Sequence, residues 1–527
     1  MSAQVQQPQS KTLATSTTLI REHWGSLGVV VVLGAVCVFH LGTLMANSIP
    51  HVDEAWNTSR AWGLVQTGRA FGTLDAGVFD RFDGYWTYFP WLGAAVHAPF
   101  VFAFGPGLFA TRFASLFFGV VLLTVLYVIA SRLYNRRTGV LAVLLAALSV
   151  HFVVSSHLGR HDIIVAAMGY GAVALYVTDK SAGRAFSVKS LLAGLLVGLT
   201  LDVHMNGVIF GPAIGALYLL DHGWGILRAG RFWSYAAGGL AGVAFYVLLH
   251  LVPYPGVYSA LYSFGNGSVR QPPLLSLDPG VWVSSLLVTL EMVGAGWVLL
   301  SLAAIAVLVP RRSRSDKILA VLFAVLILAF AAAIAVKQPH YPIILLPASA
   351  LLAAAALDRL LTEPLRGNLW RFAATAAVGG LALGLMVQGV FPAVRSSDSS
   401  FPPVLAGLQQ AIPRGSSIIG SQSFWFGFAN SRYLSWEQIM YHMQAEPGST
   451  VKDALVTFHP DYFIMDPSIA RYTITDARRH IPELDTPEIL RASTQRFLDM
   501  YGTIVSTQRT ESLGEVRVYR IDWDRVN

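Results

Sequence analysis

The chain is poor in charge. Only 13% of its 527 residues are Asp, Glu, Lys or Arg, whereas about 25% is usual in a soluble domain. Hydrophobic residues make up 54% of the chain, and its mean hydropathy is +0.54. This composition excludes an ordinary soluble protein and predicts a polytopic α-helical membrane protein. The net charge of +7 does not indicate a nucleic-acid partner, because in a membrane protein the position of each basic residue matters more than the sum.

Cysteine and internal repetition are also scarce. Cys37 is the single cysteine, which excludes an internal disulfide and any cysteine-based metal site. No convincing internal repeat is visible, although transporters often contain repeats. Residues 1–26 are mostly polar and precede a long apolar run. We interpret 1–26 as a cytoplasmic tail and the run as an uncleaved membrane anchor, because the run is too long for the core of a signal peptide.

Basic residues indicate the number of membrane spans, because Lys and Arg favour short cytoplasmic loops. Some connections between apolar runs are clearly basic, and the alternate connections contain few bases. All the basic connections lie in the cytoplasm under one topology. In this topology the N-terminus is cytoplasmic, the chain crosses the membrane about 11 times, and the C-terminus is outside. The predicted spans are residues 27–47, 109–131, 138–156, 162–178, 188–202, 206–221, 232–252, 281–309, 318–336, 342–360 and 372–392.

This count requires that the apolar stretch 86–105 does not cross the membrane. The stretch follows Tyr85 in the segment Tyr85-Trp-Thr-Tyr-Phe-Pro90 and also contains Pro99. An aromatic cluster broken by prolines is typical of a helix in the membrane interface. We therefore place it in an outer loop, residues 48–108. The two spans within 188–221 are short for a bilayer of about 30 Å, so a re-entrant hairpin there is left open.

The composition changes near residue 396. Residues 396–403 are typical of a linker, and the chain beyond them mixes polar and apolar residues as a soluble domain does. The predicted elements are strands at Ser417–Gly420 and Tyr462–Met465, a hairpin within 503–521, and helices at 404–411 and 487–501. The sequence thus predicts a transmembrane part, residues 27–395, followed by a small extracytoplasmic α/β domain, residues 396–527.

In this topology nearly every unusual polar residue lies on the outer side. Asp53 and Glu54 follow the first span directly, where membrane interfaces favour Trp, Tyr, Lys and Arg over carboxylates. A solvated acidic loop would also explain this pair if it is taken alone. Further polar residues lie at the outer ends of later spans, where charge is costly and indicates function. They are Arg112, Arg160, Asp162, Lys337, His340 and Tyr341.

This combination suggests transfer from a lipid phosphate to an acceptor hydroxyl. Cations form charge-assisted hydrogen bonds to phosphate oxygens, and a carboxylate can take the proton of an attacking hydroxyl. Each residue also has an ordinary interpretation, which the sequence leaves open. Asp162 would cap a helix, Arg112 would snorkel to the membrane boundary, and Lys337 would anchor a helix end.

These motifs, in this order, resemble the integral-membrane GT-C glycosyltransferases, in the family 39 branch of protein O-mannosyltransferases and lipid A aminoarabinose transferases. The resemblance covers about residues 27–392. Each motif is weak alone, but their order and shared outer location make the set specific. The motifs are Asp53-Glu54, the aromatic and proline segment 85–90, the Arg-led span from Thr111 to Gly119, Gly159-Arg-His-Asp162, and Lys337-Gln-Pro-His-Tyr-Pro342.

The resemblance implies an inverting glycosyltransferase that uses a polyprenyl-phosphate-linked sugar at the outer face of the plasma membrane. Asp53 would be the base that activates the acceptor hydroxyl, with Glu54 supporting it. By resemblance, the remaining site residues are Arg112, Lys337, His340 and Tyr341 at the donor phosphate, with Arg160 and Asp162 beside them. Some relatives bind a divalent metal ion. No compact ligand motif is present here, so a metal cofactor stays open.

The resemblance leaves the sugar and the acceptor undetermined. The expected partners are the lipid bilayer, the polyprenyl-phosphate sugar and a glycan, lipid or protein acceptor. The trefoil module of eukaryotic protein mannosyltransferases is not evident, which puts a protein acceptor in doubt and favours a bacterial-type enzyme. The main rival is a transporter or flippase that would use the same cations to pass a lipid phosphate without sugar transfer. The large outer loop and domain favour an enzyme, and the intact acidic pair argues against a mere scaffold.

Overall fold

The fold is seen in a computed structural model. It describes residues 28–75, 91–181, 186–253, 273–308, 313–362, 368–395, 398–446, 448–467, 469 and 487–526. The predicted cytoplasmic tail 1–26 and the aromatic and proline segment 85–90 lie outside the described residues.

The first part of the chain is helical. Its helices are mostly apolar, as the low charge of the sequence predicts. They are α1 Gly28–Thr43, α2 Val52–Thr67, α3 Trp91–Phe104, α4 Leu108–Leu133, α5 Arg136–Ala147, α6 Val150–His157, α7 Asp162–Thr178, α8 Val188–Leu199, α9 Phe210–His222, α10 Gly230–Tyr246, α11 Pro279–Val293, α12 Ala295–Leu308, α13 Arg314–Ala333, α14 Leu346–Thr362 and α15 Asn368–Arg395. Short 3-10 turns at Thr73–Asp75, Thr200–Asp202, Met205–Ile209 and Tyr341–Ile344 connect some of them.

Several helices are suited to a membrane. Within the described ranges, α4, α13 and the helix formed by α10 and its continuation to Leu251 are long and apolar enough to cross one. Two bent pairs add two spans if each pair crosses once: α5 with α6, bent by 66°, and α11 with α12, bent by 96°. The helices α1, α3 and α7 are apolar but shorter. The fold is therefore mostly helical with three to five clear spans, and the count of about 11 stays a prediction.

The breaks in the bent pairs have local causes. Ser149 starts α6 because its Oγ accepts the N–H of Phe152 at 3.2 Å, as a helix N-cap does. Nε2 of His40 in α1 hydrogen-bonds the carbonyl of Ala147 at 3.1 Å, which satisfies a carbonyl at the end of α5. The helices α11 and α12 meet at Gly294, whose φ of 92° favours glycine.

Glycines bring α8 and α10 into close contact. Gly194 and Gly198 pack against the backbone of α10, and Gly238 and Gly242 pack against the backbone of α8. A Cβ added at Gly194 would lie 1.9 Å from the carbonyl oxygen of Tyr235. Small residues four apart on each helix are the pattern that allows close helix association in membranes.

The C-terminal part contains a five-stranded sheet of order β2-β1-β3-β5-β4. The strands are β1 Ser417–Gly420, β2 Arg432–Ser435, β3 Tyr462–Met465, β4 Gly502–Thr510 and β5 Gly514–Ile521, and the helices are α16 Phe401–Ala411, α17 Glu437–Ala445, α18 Val451–Phe458, α19 Pro487–Tyr501 and α20 Trp523–Val526. β1 pairs in parallel with β2 and β3, whereas β5 is antiparallel to β3 and β4. The predicted strands β1 and β3 and the terminal hairpin are confirmed.

The outer loop and the C-terminal domain share one hydrophobic core. Ala55 and Trp56 of α2 and Leu74 from the same loop are buried with apolar residues of the domain, including Phe424 and Trp425. Burial of apolar surface is the main force that holds such a contact together. The helix that begins with the acidic pair is therefore packed under the C-terminal domain.

Candidate active site

The acidic pair lies in the first turn of α2. Nδ1 of His51 accepts the N–H of Asp53 at 3.2 Å, and Oε2 of Glu54 accepts the N–H of His51 at 2.8 Å. This reciprocal arrangement is a capping box, which explains why the helix begins at Val52. Carboxylates in a first turn are also favoured by the helix dipole. The cap thus fixes the positions from which Asp53 and Glu54 project.

Glu54 is fully buried, with an exposed fraction of 0%. Its Oε1 accepts hydrogen bonds from Nε of Arg112 at 2.9 Å and from the N–H of Gly159 at 2.8 Å. Its Oε2 accepts a hydrogen bond from Nη2 of Arg112 at 3.1 Å, in addition to the one from His51. Four hydrogen bonds use the full accepting capacity of a carboxylate. Glu54 therefore joins α2 to α4 and to the loop before α7, and it has no capacity left for a ligand.

Arg112 is saturated in the same way. Its Nη1 donates to the carbonyls of Leu44, at 3.3 Å, and of Asn47, and its Nη2 donates to the carbonyl of Ile49 at 3.2 Å. With the two bonds to Glu54, all five N–H groups of the guanidinium are used. The side chain is 2% exposed, so it does not snorkel to the boundary. The geometry favours a positioning role over the donor-phosphate contact that the resemblance implied.

Asp53 has a different environment. Its side chain is 26% exposed and forms an ion pair with Nη1 of Arg160, and one carboxylate oxygen lies 3.8 Å from Nδ1 of His51. Nε of Arg160 donates to Oδ2 of Asp162 at 2.9 Å. The three residues Asp53, Arg160 and Asp162 form an open chain of charges, which we call the acidic relay. Asp162 is the first residue of α7, directly after the N-cap residue His161, so its charge favours the helix start through the helix dipole although it is not the cap.

Lys337, His340 and Tyr341 lie on the turn before α14. Nζ of Lys337 donates to Oγ of Ser285 at 2.7 Å and to the carbonyl of Ile334 at 2.8 Å. An ammonium has three N–H groups, so one remains for a ligand. The rings of His340 and His51 are 6.0 Å apart, which places this turn beside the first turn of α2. The structure thus brings Asp53, Arg160, Asp162, His340 and Tyr341 to one place.

Two histidines at this place are neutral near pH 7. Burial, together with the nearby Arg160, lowers the pKa of His51 to about 4. Burial also lowers the pKa of His340 to about 3. A neutral imidazole both donates and accepts a hydrogen bond. His340 therefore acts as a hydrogen-bonding group at neutral pH, and the positive charge beside Asp53 comes from Arg160.

The C-terminal domain contacts the segments on either side of the acidic pair. Oγ of Ser423 donates to the carbonyl of Pro50 at 3.2 Å. Nε1 of Trp425 donates to Oγ1 of Thr73 at 2.7 Å, and Nε2 of Gln438 donates to the carbonyl of Leu74 at 2.7 Å. The domain therefore helps to hold α2 in place.

The described residues do not fit a metal site. No group of three or more His, Cys, Asp or Glu side chains suited to a metal ion occurs among them. Arg160 lies between Asp53 and Asp162, and its positive charge repels a cation from the position between the two carboxylates.

Sequence reasoning missed the roles of His51 and Gly159. The carbonyl of Gly159 accepts a hydrogen bond from Nδ2 of Asn57 at 2.9 Å, and its N–H donates to Glu54. A Cβ at Gly159 would lie 2.5 Å from the Thr111 side chain. The available signal for His51 was its position one residue before the helix, where a side chain can cap. The partners of Gly159 come from distant parts of the chain and left no local signal.

Comparisons with known proteins agree with this architecture. Residues 89–250 match the family model described as dolichyl-phosphate-mannose-protein mannosyltransferase. A comparison with curated protein sequences gives no match. ArnT from Cupriavidus metallidurans, solved bound to undecaprenyl phosphate, superposes with a TM-score of 0.60 at 14% identity, over 93% of this chain and 97% of that chain.

Two further solved structures share the fold. The oligosaccharyltransferase of Archaeoglobus fulgidus, solved tethered to an acceptor peptide, has a TM-score of 0.53 at 12% identity, over 96% of this chain and 75% of that chain. The arabinofuranosyltransferase AftD from mycobacteria has a TM-score of 0.50 at 15% identity, over 93% of this chain and 40% of that chain. All three are GT-C glycosyltransferases. This chain therefore has the same fold as these glycosyltransferases, as the resemblance implied.

Proposed function

We propose that this protein, which has the GT-C fold, transfers a sugar from a polyprenyl-phosphate donor to a hydroxyl of a cell-envelope acceptor. The observation that carries the proposal is the difference within the acidic pair. Glu54 is buried and saturated, whereas Asp53 keeps 26% of its side chain exposed beside Arg160. An accessible carboxylate held by a cap and a cation is suited to receive a proton from an attacking hydroxyl.

The comparisons support this substrate class. The ArnT structure contains undecaprenyl phosphate, and a structure of the Archaeoglobus oligosaccharyltransferase contains an inhibitory peptide and a dolichol-phosphate. The matched family model is described by a dolichyl-phosphate sugar. A lipid phosphate that carries a sugar is therefore the donor class for which the present fold offers the best precedent.

The proposed reaction is an inverting displacement. The acceptor oxygen attacks the anomeric carbon, its proton passes to a carboxylate oxygen of Asp53, and the bond to the phosphate oxygen breaks. Lys337, through its remaining N–H, stabilises the negative charge that develops on the departing phosphate. Arg160 fixes Asp53 and Asp162 relative to each other. In this proposal Glu54 and Arg112 do not touch the substrate and act by positioning α2.

The site is proposed to face the outer side of the plasma membrane, with the N-terminus in the cytoplasm. The acceptor is a glycan, a lipid or a protein of the cell envelope. The distribution of basic connections supports this orientation. The C-terminal domain, which packs on α2, would then lie over the site on the acceptor side.

The first experiment measures release of polyprenyl phosphate by purified protein in nanodiscs. The donors are a panel of polyprenyl-phosphate sugars, offered with mixed cell-envelope acceptors, with and without EDTA. We compare wild type, Asp53→Asn and Glu446→Gln, which alters an exposed carboxylate of the C-terminal domain. Removal of a general base typically lowers turnover by about 10²- to 10⁴-fold, so Asp53→Asn should lose activity at an unchanged unfolding temperature.

Equal release by wild type and Asp53→Asn would remove Asp53 as the base. EDTA sensitivity would show that a metal ion takes part in turnover. If no donor is turned over, translocation of the same lipids in liposomes is measured next. Translocation without sugar transfer would replace the proposal by the flippase function.

A further inference from the structure

Three buried polar atoms beside the acidic relay have no hydrogen-bond partner within 3.5 Å among the described residues. They are Oδ1 of Asp162, Nδ2 of Asn206 and Nε2 of His340. The side chains of Asp162 and Asn206 are almost fully buried, with 2% and 5% exposed. An unsatisfied buried polar group destabilises the folded state. Such groups are uncommon in folded proteins, and each one calls for an explanation.

The three residues surround Tyr341. The ring of His340 lies 5.0 Å from the ring of Tyr341, and that of His204 lies 5.8 Å from it. The Tyr341 hydroxyl is in weak hydrogen-bonding contact with the side chain of Asn206, which engages at most one of the two N–H groups of Nδ2. Asp162 is close enough to His340 and His204 to interact electrostatically with both. The unsatisfied atoms therefore belong to one cluster, and they are not scattered defects.

This cluster is joined to the candidate base. Oδ2 of Asp162 accepts a hydrogen bond from Arg160, which also forms an ion pair with Asp53. The unsatisfied oxygen of Asp162 is thus on the same carboxyl group that ends the acidic relay. The side chain of Arg160 would then lie between Asp53 and a ligand bound at the cluster.

The backbone around Asn206 holds its side chain in a fixed position. Nδ1 of His204 accepts the N–H of Asn206 at 3.3 Å, which starts the 3-10 turn Met205–Ile209. A Cβ added at Gly207 would lie 2.1 Å from Oγ1 of Thr200, so the turn packs tightly against the end of α8. The unsatisfied amide is therefore part of a rigid turn and is not a freely moving loop side chain.

The chemistry of the three atoms limits the ligand. A carboxylate oxygen only accepts hydrogen bonds, an amide nitrogen only donates them, and a neutral imidazole does either. A phosphate would be repelled by Asp162, and an ammonium could not satisfy Asn206. Hydroxyl groups both donate and accept. A ring that carries several hydroxyls is the ligand that can satisfy all three atoms together.

We propose that Asp162, Asn206 and His340 form the subsite that binds the hydroxyl groups of the donor sugar, with Tyr341 against the ring. This inference rests on the proposed function and assigns His340 and Tyr341 to the sugar, where the resemblance assigned them to the phosphate. Asn206 selects sugars by donating a hydrogen bond to one hydroxyl. A site built to hydrogen-bond a hydroxyl strongly rejects an analogue that lacks it.

The experiment uses full-length protein in nanodiscs with pairs of polyprenyl-phosphate sugars that differ in a single hydroxyl. Wild type, Asn206→Ala and Ser349→Ala are compared. Ser349 also has an unsatisfied buried oxygen, but it lies in the apolar core of α14. Loss of one hydrogen bond to a ligand typically costs about 1–3 kcal/mol, or roughly 5- to 150-fold in kcat/KM. We expect a loss within this range for Asn206→Ala with the hydroxylated donor.

Two controls belong to this prediction. The same substitution should change kcat/KM little for the donor that lacks the hydroxyl contacted by Asn206, and Ser349→Ala should leave the ratio between donors unchanged. Affinity for bare polyprenyl phosphate, measured by native mass spectrometry, should be the same in wild type and Asn206→Ala. Equal losses for all donors and for bare polyprenyl phosphate would make the cluster a phosphate site. Unchanged kcat/KM for every donor in Asn206→Ala would mean that the cluster binds water only. Either result overturns the proposal.

Failure of the proposed function gives a different result. If wild type turns over no donor, the affinity of sugar-linked and bare polyprenyl phosphate still reports on the subsite. A preference of wild type for the sugar-linked lipid that Asn206→Ala loses would support the sugar subsite without transfer. No preference in wild type would overturn it.

Discussion

Two ion-pair clusters meet at the first turn of α2, and they differ in how far they are satisfied. In the Glu54–Arg112 cluster, the carboxylate accepts four hydrogen bonds and the guanidinium donates five. In the acidic relay, Asp53 is partly exposed and Asp162 keeps an unsatisfied oxygen. Both clusters combine carboxylates with an arginine, and Asp53 and Glu54 are adjacent in the sequence. Residue types alone therefore do not show which cluster stabilises the fold and which takes part in the reaction.

The difference follows from what each cluster must do. A buried charge is tolerated only when it is paired and its hydrogen-bonding groups are satisfied. The Glu54–Arg112 cluster meets this condition and joins the end of α1, the start of α2 and the loop before α7. A site that binds a ligand needs groups whose last partners are supplied by the ligand. The acidic relay is incomplete in this sense.

The largest effect on stability is expected from breaking the saturated cluster. Arg112→Met would leave the Glu54 carboxylate buried without its cation, and Glu54→Leu would do the same to Arg112. Removing one partner of a buried pair costs about 3–5 kcal/mol. Thermal unfolding in detergent should show a large drop for each single variant. The double variant should be less unstable than the sum, because no unpaired charge remains.

The same variants decide between two roles for Arg112. A positioning role predicts that any loss of lipid binding parallels the loss of folded protein. If Arg112→Met unfolds at the wild-type temperature but no longer binds bare polyprenyl phosphate, Arg112 contacts the donor phosphate, as the resemblance implied. The contrast between the two clusters would then be wrong.

A smaller loss of stability is expected from a substitution at Gly159. This residue links the two clusters, because its N–H donates to Glu54 and it directly precedes Arg160. Gly159→Ala places a Cβ about 2.5 Å from the Thr111 side chain, and such overpacking costs about 1–3 kcal/mol. The strain should also displace the loop that carries Arg160 and so reduce turnover. The double variant Gly159→Ala with Thr111→Ala removes the clashing atoms and should recover much of the unfolding temperature. If the second substitution recovers nothing, the clash is not the cause of the instability.

The sequence predicted the members of this site better than their roles. Asp53, Arg160, Asp162, His340 and Tyr341 were all proposed from their positions at the outer ends of apolar runs, and they do lie together. Periodicity and loop charge are properties of the local chain, so they can be read without a structure. The short strands β1 and β3 and the terminal hairpin were predicted for the same reason.

The roles depend on contacts that the local chain does not encode. Arg112 and Arg160 both follow the pattern of an arginine at a span end, yet their partners differ completely. The strand β2, Arg-Tyr-Leu-Ser, was missed because its four residues show no alternation of polar and apolar types. The sequence predicts one span over 281–309 but not the bend of 96° between α11 and α12 within it, because an apolar run gives no sign of direction.

The smallest expected effect is on how the stability of the protein depends on pH. The pKa of His51 in the folded protein is about 4, below its ordinary value of 6.5, because burial disfavours the charged form. As pH falls below about 6.5, the unfolded chain therefore binds the proton first, and the stability contributed by neutral His51 is lost progressively towards pH 4. His51→Asn keeps a side-chain oxygen that can cap α2 but removes the titrating group. Thermal unfolding between pH 7 and 4.5 should decline less steeply in His51→Asn, by at most about one proton in the linkage slope. An identical slope in both proteins would mean that His51 takes up its proton in the folded state as easily as in the unfolded chain, so that neither burial nor the nearby Arg160 disfavours its charged form.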